Sequence, residues 1–201
     1  MGLFSKDLGI DLGTIYTRIA EGSQIVLQEP SVVAVDIEAD KIVEIGQEAL
    51  NLMGRVSDSM KVARPLHNGV VAYYAYSHIF LRELIQRITG QLRFFKPRVM
   101  ISYPYGITSV ERRAVHEVVL AALGSGPNAL IIPQPIAAAL AIGLPINEPS
   151  GNMVVLMGGG ATQAAVLAVN DIISGATLRE GGLTLDEAIQ IALKNSYNTK
   201  A

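Results

Sequence analysis

The chain contains 201 residues, of which 50% are hydrophobic and 17% are charged. Because about a quarter of the residues in a typical globular protein are charged, this low fraction suggests that partners or a membrane cover part of the surface. The formal net charge of −2 gives no electrostatic basis for nucleic-acid binding. The sequence contains no cysteine, which excludes disulfides and thiolate chemistry and fits a reducing cytoplasm.

The first predicted element is a strand, a glycine turn and a second strand over residues 8–18. Gly13 would let the backbone approach a ligand, and the following amides could line an anion site. These amides belong to Thr14, Ile15 and Tyr16. Asp11 could face the metal of a bound phosphate through water. The alternative is an ordinary hairpin in which Asp11 caps the turn, since short glycine motifs match by chance.

The middle of the chain alternates predicted strands and helices. Residues 32–64 read as a small insertion of short strands with one short helix, and an amphipathic helix over 73–89 ends at Gly90. A strand over 98–103 precedes a capping box at Thr108 and Glu111, which predicts a helix to Leu123. A strand over 128–132 and an Ala-rich helix opened by Pro135 follow.

The pattern of strand, glycine turn and strand then occurs a second time, over residues 152–169. Its turn consists of Gly158, Gly159 and Gly160 and is followed by Thr162. Two such hairpins suggest two related lobes that face each other, with a nucleotide between them. A third strand over 172–178 and a second capping box, which predicts a helix from Thr184 to Asn195, complete the predicted elements.

Several stretches along essentially the whole chain resemble, in the same order, the MreB family of bacterial actins, the rod-shape-determining proteins. They are residues 10–14, 29–34, 53–55, 64–65 with 69–70, 110–114, 135–139 and 158–160. The resemblance implies an α/β, actin-like ATPase fold, in which RNase H-like lobes of mixed sheet with flanking helices hold ATP and Mg²⁺ in a cleft. It implies a first lobe over 1–31 and 65–146, a small inserted subdomain over 32–64, and the start of a second lobe over 147–201.

The resemblance also implies where the protein works. Family members polymerise into double protofilaments on the cytoplasmic face of the membrane and organise cell-wall elongation there. We therefore expect a homopolymer that is cytoplasmic and peripheral at the inner membrane surface. Its expected partner is the cell-wall elongation machinery, and nucleic acid is not an expected partner.

The family's site roles carry over to particular residues. Asp11 would position the metal, the two glycine turns would cradle phosphates, and Gln134 with Thr162 would orient the attacking water. The expected nucleotide-binding residues are Asp11, Gly13, Thr14, Ile15, Tyr16, Arg18, Gly158, Gly159, Gly160 and Thr162.

The chain departs from the family at several of these positions. Leu156 stands where the family has a metal-side Asp, and Gln134 stands where it has the Glu that orients water. Hydrolysis is therefore expected to be very weak or absent. Ile15 and Tyr16 replace an Ala-Asn pair. Arg18 could reach a phosphate, or it could be a solvated strand residue.

Two segments suggest contact with an anionic membrane. The loop over 92–98 mixes large apolar residues with cations, and the N-terminus adds an apolar pair. The candidate contact residues are Leu3, Phe4, Leu92, Phe94 and Phe95. In the alternative interpretation, the phenylalanines pack back onto the first lobe.

Three functional hypotheses follow. The first is an MreB-like cytoskeletal ATPase that forms membrane-associated filaments. The second is a degenerate, non-hydrolysing paralogue or fragment that acts as a structural or filament-capping module, because the family's adenosine-binding loops are expected beyond residue 201. The third, a sugar kinase or Hsp70-like chaperone, shares the glycine turns but not the stretches at 64–65 and 111–114.

Overall fold

The computed structural model describes residues 6–90, 97–124 and 129–197. The strands within these ranges are β1 (Asp7–Leu12), β2 (Tyr16–Glu21), β3 (Gln24–Pro30), β4 (Val33–Asp36), β5 (Lys41–Ile45), β6 (Met60–Ala63), β7 (Leu66–His67), β8 (Val70–Val71), β9 (Arg98–Tyr103), β10 (Ala129–Pro133), β11 (Asn152–Met157), β12 (Thr162–Ala168) and β13 (Asp171–Leu178). The helices are α1 (Gln47–Asn51), α2 (Tyr74–Thr89), α3 (Ser109–Leu123), α4 (Gln134–Ala141) and α5 (Gly182–Tyr197).

The largest sheet has the strand order β10-β9-β1-β2-β3. Strands β1, β9 and β10 are parallel neighbours, whereas β1, β2 and β3 form an antiparallel meander. Successive side chains of a strand point to opposite faces, so Leu8, Ile10 and Leu12 are buried together while Asp11 lies on the other face. The register places Asp11 beside Ser102 of β9 at the carboxyl ends of these strands.

Helices α2 and α3 cover the buried face of this sheet. Phe80 and Leu84 of α2 and Val115 and Val119 of α3 pack in one cluster with the apolar side chains of β1. The predicted capping box of α3 is confirmed, because Thr108 Oγ1 accepts from the amide of Glu111 and the Glu111 carboxylate accepts from the amide of Thr108. Glycines in positive-φ conformations follow both helices, as the sequence predicts.

A second, smaller sheet with the order β5-β4-β6 is built from residues 33–63. It has its own small core, in which Val32, Ala34 and Ala49 are fully buried. Ser31 lies just before β4, and Arg64 lies just after β6. These two positions are therefore where the chain enters and leaves the small sheet.

The third sheet, β11-β12-β13, is an antiparallel meander that packs on α4. Ala139 of α4 is buried among Val154, Ala165 and Leu167. On the opposite face of the sheet, Met153 and Val155 are more than half exposed. Within the described residues, the sheet is thus covered on one face only.

The last helix begins earlier than the sequence predicts. The capping box at Thr184 predicted a start there, but α5 begins at Gly182. The amides of Gly182 and Leu183 donate to the carbonyls of Gly158 and Gly159, at 3.0 and 2.9 Å. These carbonyls satisfy amides of the first helical turn, so no side-chain cap at Thr184 is required.

The candidate membrane-contact residues Leu3, Phe4, Leu92, Phe94 and Phe95 lie outside the described residues. Among the helices that are described, none combines the length and the apolar character needed to cross a bilayer.

Candidate functional site

A cleft of about 540 Å³ lies where the turn between β1 and β2 meets the turn between β11 and β12. The beginning of α4 closes one side. Of the expected nucleotide-binding residues, those that line the cleft are Asp11, Gly13, Thr14, Ile15, Tyr16, Arg18, Gly158, Gly159 and Gly160. Gln134 lines it as well, so the structure brings nearly all the expected site residues together.

The carbonyls of the first turn accept hydrogen bonds from Ser31 and Arg64, neither of which lines the cleft. Ser31 donates from its hydroxyl to the carbonyl of Gly13 at 2.6 Å and from its amide to that of Ile15 at 2.8 Å. Arg64 Nη1 donates to the carbonyl of Thr14 at 3.2 Å. The N–H and C=O of one trans peptide unit point in opposite directions. The three amides that follow these carbonyls therefore point toward the cleft, as an anion-binding turn requires.

Burial lowers the pKa of the Arg64 guanidinium, but an arginine stays charged across the physiological range. Because Arg64 donates to the carbonyl of Thr14, its positive charge lies next to the first turn.

The second turn is arranged in the same way. The amide of Gly158 donates to the carbonyl of Ala161 at 2.8 Å and closes the turn. The carbonyls of Gly158 and Gly159 accept from the first amides of α5, so the amides of Gly159 and Gly160 point away from that helix. The cleft is lined by the three glycines of this turn and by none of the described residues of α5. Both turns thus present backbone donors to the same space.

The two turns touch each other. A Cβ on Gly159 would collide with the Ile15 side chain, and one on Gly160 would lie 2.5 Å from Thr14 Oγ1. Thr14 Oγ1 also accepts from the amide of Gly69 at 3.0 Å. Only glycine leaves room for these side chains of the first turn, which explains why Gly159 and Gly160 are glycines.

A chain of polar contacts crosses the cleft from one sheet to the other. Gln134 Nε2 donates to Asp11 Oδ1 at 3.3 Å, and Gln163 Nε2 donates to Gln134 Oε1 at 2.6 Å. Gln163 Oε1 in turn accepts from the amide of Tyr105 at 2.7 Å. Ser102 Oγ is the second donor to Asp11 Oδ1, at 3.2 Å. The amide group of Gln134 is therefore engaged at both ends.

Thr162 is the expected site residue that the structure places outside the cleft lining. Its hydroxyl donates to the carbonyl of Glu180 at 2.9 Å. The neighbouring Gln163 is 4% exposed and lines the cleft instead. Alternation along β12 is the signal that could have identified Gln163, since Ala165 and Leu167 share its buried face. Ser102 could have been found from its place at the end of a strand parallel to β1.

The side chains that line the cleft do not suffice to hold Mg²⁺ by themselves. Asp11 is the only carboxylate among the described lining residues, and Leu156 is apolar. Both oxygens of Asp11 already face donors. Oδ1 accepts from Ser102 and Gln134, and Oδ2 lies 3.6 Å from Arg18 Nη1. In the part of the chain that is described, no group of three or more His, Cys, Asp or Glu residues could hold a metal ion. A dication beside Asp11 would also meet the charge of Arg18.

Two further contacts connect the chain that follows β9 with β13 and with the residue after it. Thr177 Oγ1 of β13 donates to the Tyr105 carbonyl at 2.6 Å, and Arg179 pairs with Glu111 at 2.8 Å. Desolvation opposes ionisation of Glu111, but hydrogen bonds from Thr108 and Arg179 outweigh it and lower the pKa of this carboxyl. Glu111 thus caps α3 and holds Arg179 at the same time.

Comparisons with known proteins identify relatives of the chain. The family model described as MreB/Mbl protein matches residues 5–200. The cell shape-determining protein Mbl of Bacillus subtilis is 38% identical over 97% of this chain, and MreB of Escherichia coli is 37% identical over 98%. The chain spans 58% of the length of each of these relatives.

Solved structures agree with this relationship at the level of the fold. MreB5 of Spiroplasma citri bound to ADP superposes with a TM-score of 0.88 at 24% identity, over 98% of this chain and 59% of that one. A MamK double helical filament superposes with a TM-score of 0.76 at 18% identity, over 95% and 59%. The fold is the α/β, actin-like ATPase fold that the sequence predicts. The chain belongs to the MreB/Mbl family.

Proposed function

We propose that this chain is an actin-like cytoskeletal protein that binds ATP in the cleft and assembles into filaments with copies of itself. The observation that carries the proposal is the pair of facing glycine turns, whose carbonyls are held from behind so that their amides face one space. Such opposed backbone donors suit a chain of phosphates. A family structure with ADP and a filament of a structural neighbour support the same inference.

The proposed setting is the inner face of the cytoplasmic membrane, where filaments would govern cell shape with the cell-wall elongation machinery. The names of the curated relatives support the cell-shape role. Membrane contact rests on the sequence of two segments, with Leu3 and Phe4 in one and Leu92, Phe94 and Phe95 in the other. The proposed division is a first lobe over 1–31 and 65–146, a small subdomain over 32–64, and a second lobe that starts at 147.

Slow or absent hydrolysis is part of the proposal. Gln134 would have to orient water, yet its amide donates to Asp11 and accepts from Gln163. Thr162 has its hydroxyl on the Glu180 carbonyl, and Leu156 adds no charge to the cleft. Phosphoryl transfer requires an oriented nucleophile and stabilised charge, both of which are weakly provided here. These contacts also favour the second candidate, a non-hydrolysing structural or filament-capping module.

Two measurements on the full chain test the proposal and separate the candidates. Isothermal titration with ATP and with ADP should give saturable binding. High-speed sedimentation and electron microscopy should then show ATP-dependent filaments for the first candidate. A chain that binds nucleotide and shortens filaments of a full-length family member, without forming its own, would be the capping module. Absence of nucleotide binding would overturn the proposed site.

A further inference from the structure

We propose that Arg18 is the resident cation of this cleft, so that the chain binds a polyphosphate without a divalent metal. The inference rests on the proposed function, because it takes the cleft to be a nucleotide phosphate site. It assigns to a side chain of the protein the charge that a metal ion would otherwise bring.

The hairpin places Arg18 on the cleft side of the sheet. Arg18 is the register partner of Asp11 across β1 and β2, and both residues line the cleft. Directly opposed residues of an antiparallel pair project to the same face, so the guanidinium lies beside the carboxylate, with 3.6 Å between Nη1 and Oδ2. The pairing is thus built into the strand register of the first turn.

The guanidinium is held in place and remains accessible. Arg18 Nε donates to Gln28 Oε1 of β3 at 2.8 Å, and Cζ lies 5.7 Å from the centre of the Tyr16 ring. The side chain is 41% exposed. Gln28 and Asp11 therefore orient a fork of five N–H donors. Among the described residues no other side chain or carbonyl accepts from this fork, so its remaining donors can meet an anion that enters the cleft.

The charges of the cleft favour an anion over a dication. Asp11 is the single carboxylate among the described lining residues, and Arg18 balances it. The backbone donors of the two turns add partial positive charge on the same side, with Arg64 behind the first turn. A dication would be repelled by this positive potential, whereas a polyphosphate anion would be attracted by it. An exposed ion pair contributes little to stability, so a role in ligand binding is the better account of a cation here.

The experiment is isothermal titration of the full chain with ATP and with inorganic tripolyphosphate, each in excess EDTA and in excess MgCl₂. The wild-type chain should bind both ligands in EDTA, at least as tightly as with MgCl₂. Arg18→Gln should weaken binding in EDTA by roughly tenfold or more, the usual effect of losing a charge-assisted hydrogen bond. Arg18→Lys keeps the charge and should lose less. Arg55→Gln removes an arginine from an exposed site outside the cleft and should match wild type.

The outcomes separate the two proposals. Binding of ATP that requires MgCl₂, or full affinity of Arg18→Gln in EDTA, would overturn the role of Arg18 and leave the nucleotide site standing. Absence of ATP and tripolyphosphate binding under both conditions would overturn the nucleotide site and the role of Arg18 together. Circular dichroism of each variant shows that a lost affinity is not a lost fold.

Discussion

At the scale of single residues, Gln163 is a buried side chain that links the two sides of the cleft. It is buried, donates to Gln134 and accepts from the amide of Tyr105. A buried polar group is stable only when its hydrogen bonds are made, so both hydrogen bonds of this side chain contribute to holding the two sides together. The resemblance to the family pointed to the adjacent Thr162, which follows the second glycine turn. The alternation of the strand decides which of the two residues faces inward.

Replacing Gln163 with Leu should lower the free energy of unfolding by about 1–3 kcal/mol. The cause is that the Tyr105 amide and the Gln134 side chain lose their buried partner while the volume is nearly kept. Urea unfolding at neutral pH measures the change. Gln86→Leu, the same substitution at an exposed position of α2, should be close to neutral. Equal effects of the two substitutions would show that the polar chain across the cleft does not stabilise the fold.

At the scale of elements, the sequence predicted correctly those helix ends that depend on residues close together in the chain. The capping box of α3 and the glycine ends of α2 and α3 depend on residues that are close in sequence, and all are confirmed. The start of α5 depends on the carbonyls of Gly158 and Gly159, more than twenty residues upstream, and was misplaced. Contact between the two turns, through Ile15 and Gly159, was likewise not evident from either turn alone.

That contact makes a compensating pair of substitutions testable. Gly159→Ala should destabilise the chain by roughly 1–3 kcal/mol, because the new methyl group collides with Ile15 and overpacks the junction. Adding Ile15→Ala should recover part of the loss, so that the double variant is more stable than the sum of the single effects predicts. Thermal and urea unfolding give the double-mutant cycle.

Gly9→Ala is the control for that cycle, since a Cβ at Gly9 meets nothing within 4 Å. Strictly additive effects of Ile15→Ala and Gly159→Ala would mean that the turns are not in contact.

At the scale of the whole molecule, an ion pair that titrates joins Glu111 of α3 to Arg179, the residue after β13. Glu111 has a lowered pKa in the folded chain, so its contribution to stability is present above the ordinary glutamate value of 4.5 and is lost as the pH falls through the lower folded value. Glu111→Gln should therefore reduce stability at neutral pH, and the difference from wild type should shrink toward pH 3. Urea unfolding at the two pH values measures this. The control is Glu187→Gln, the same substitution at an exposed position of α5.

The difference between wild type and Glu111→Gln is the quantity of interest, because other carboxylates titrate in both proteins. A difference that stays constant with pH would show that the ion pair with Arg179 does not stabilise the fold.

Protection of backbone amides against hydrogen exchange should differ between the first and third sheets. Strand β9 lies between β1 and β10, with Val99 and Ile101 buried, whereas β13 is paired in its sheet only with β12 and is mostly exposed. Amides in β9 should exchange much more slowly than those in β13, since they open only with the central core. Native-state hydrogen exchange with mass spectrometry measures both segments. Equal protection in the two strands would show that the third sheet unfolds together with the first.

The attachment of the small sheet has one more consequence. Ser31 and Arg64 are the points where the chain enters and leaves that sheet, and both bond to carbonyls of the first turn. A rotation of the small sheet would therefore tilt the peptide planes that present amides to the cleft. Orientation of the sheet and occupancy of the cleft would then be thermodynamically linked, and such a linkage is reciprocal. A molecule that binds the small sheet in one orientation would change the affinity of the cleft for its ligand by some factor. The ligand would change the affinity of the small sheet for that molecule by the same factor.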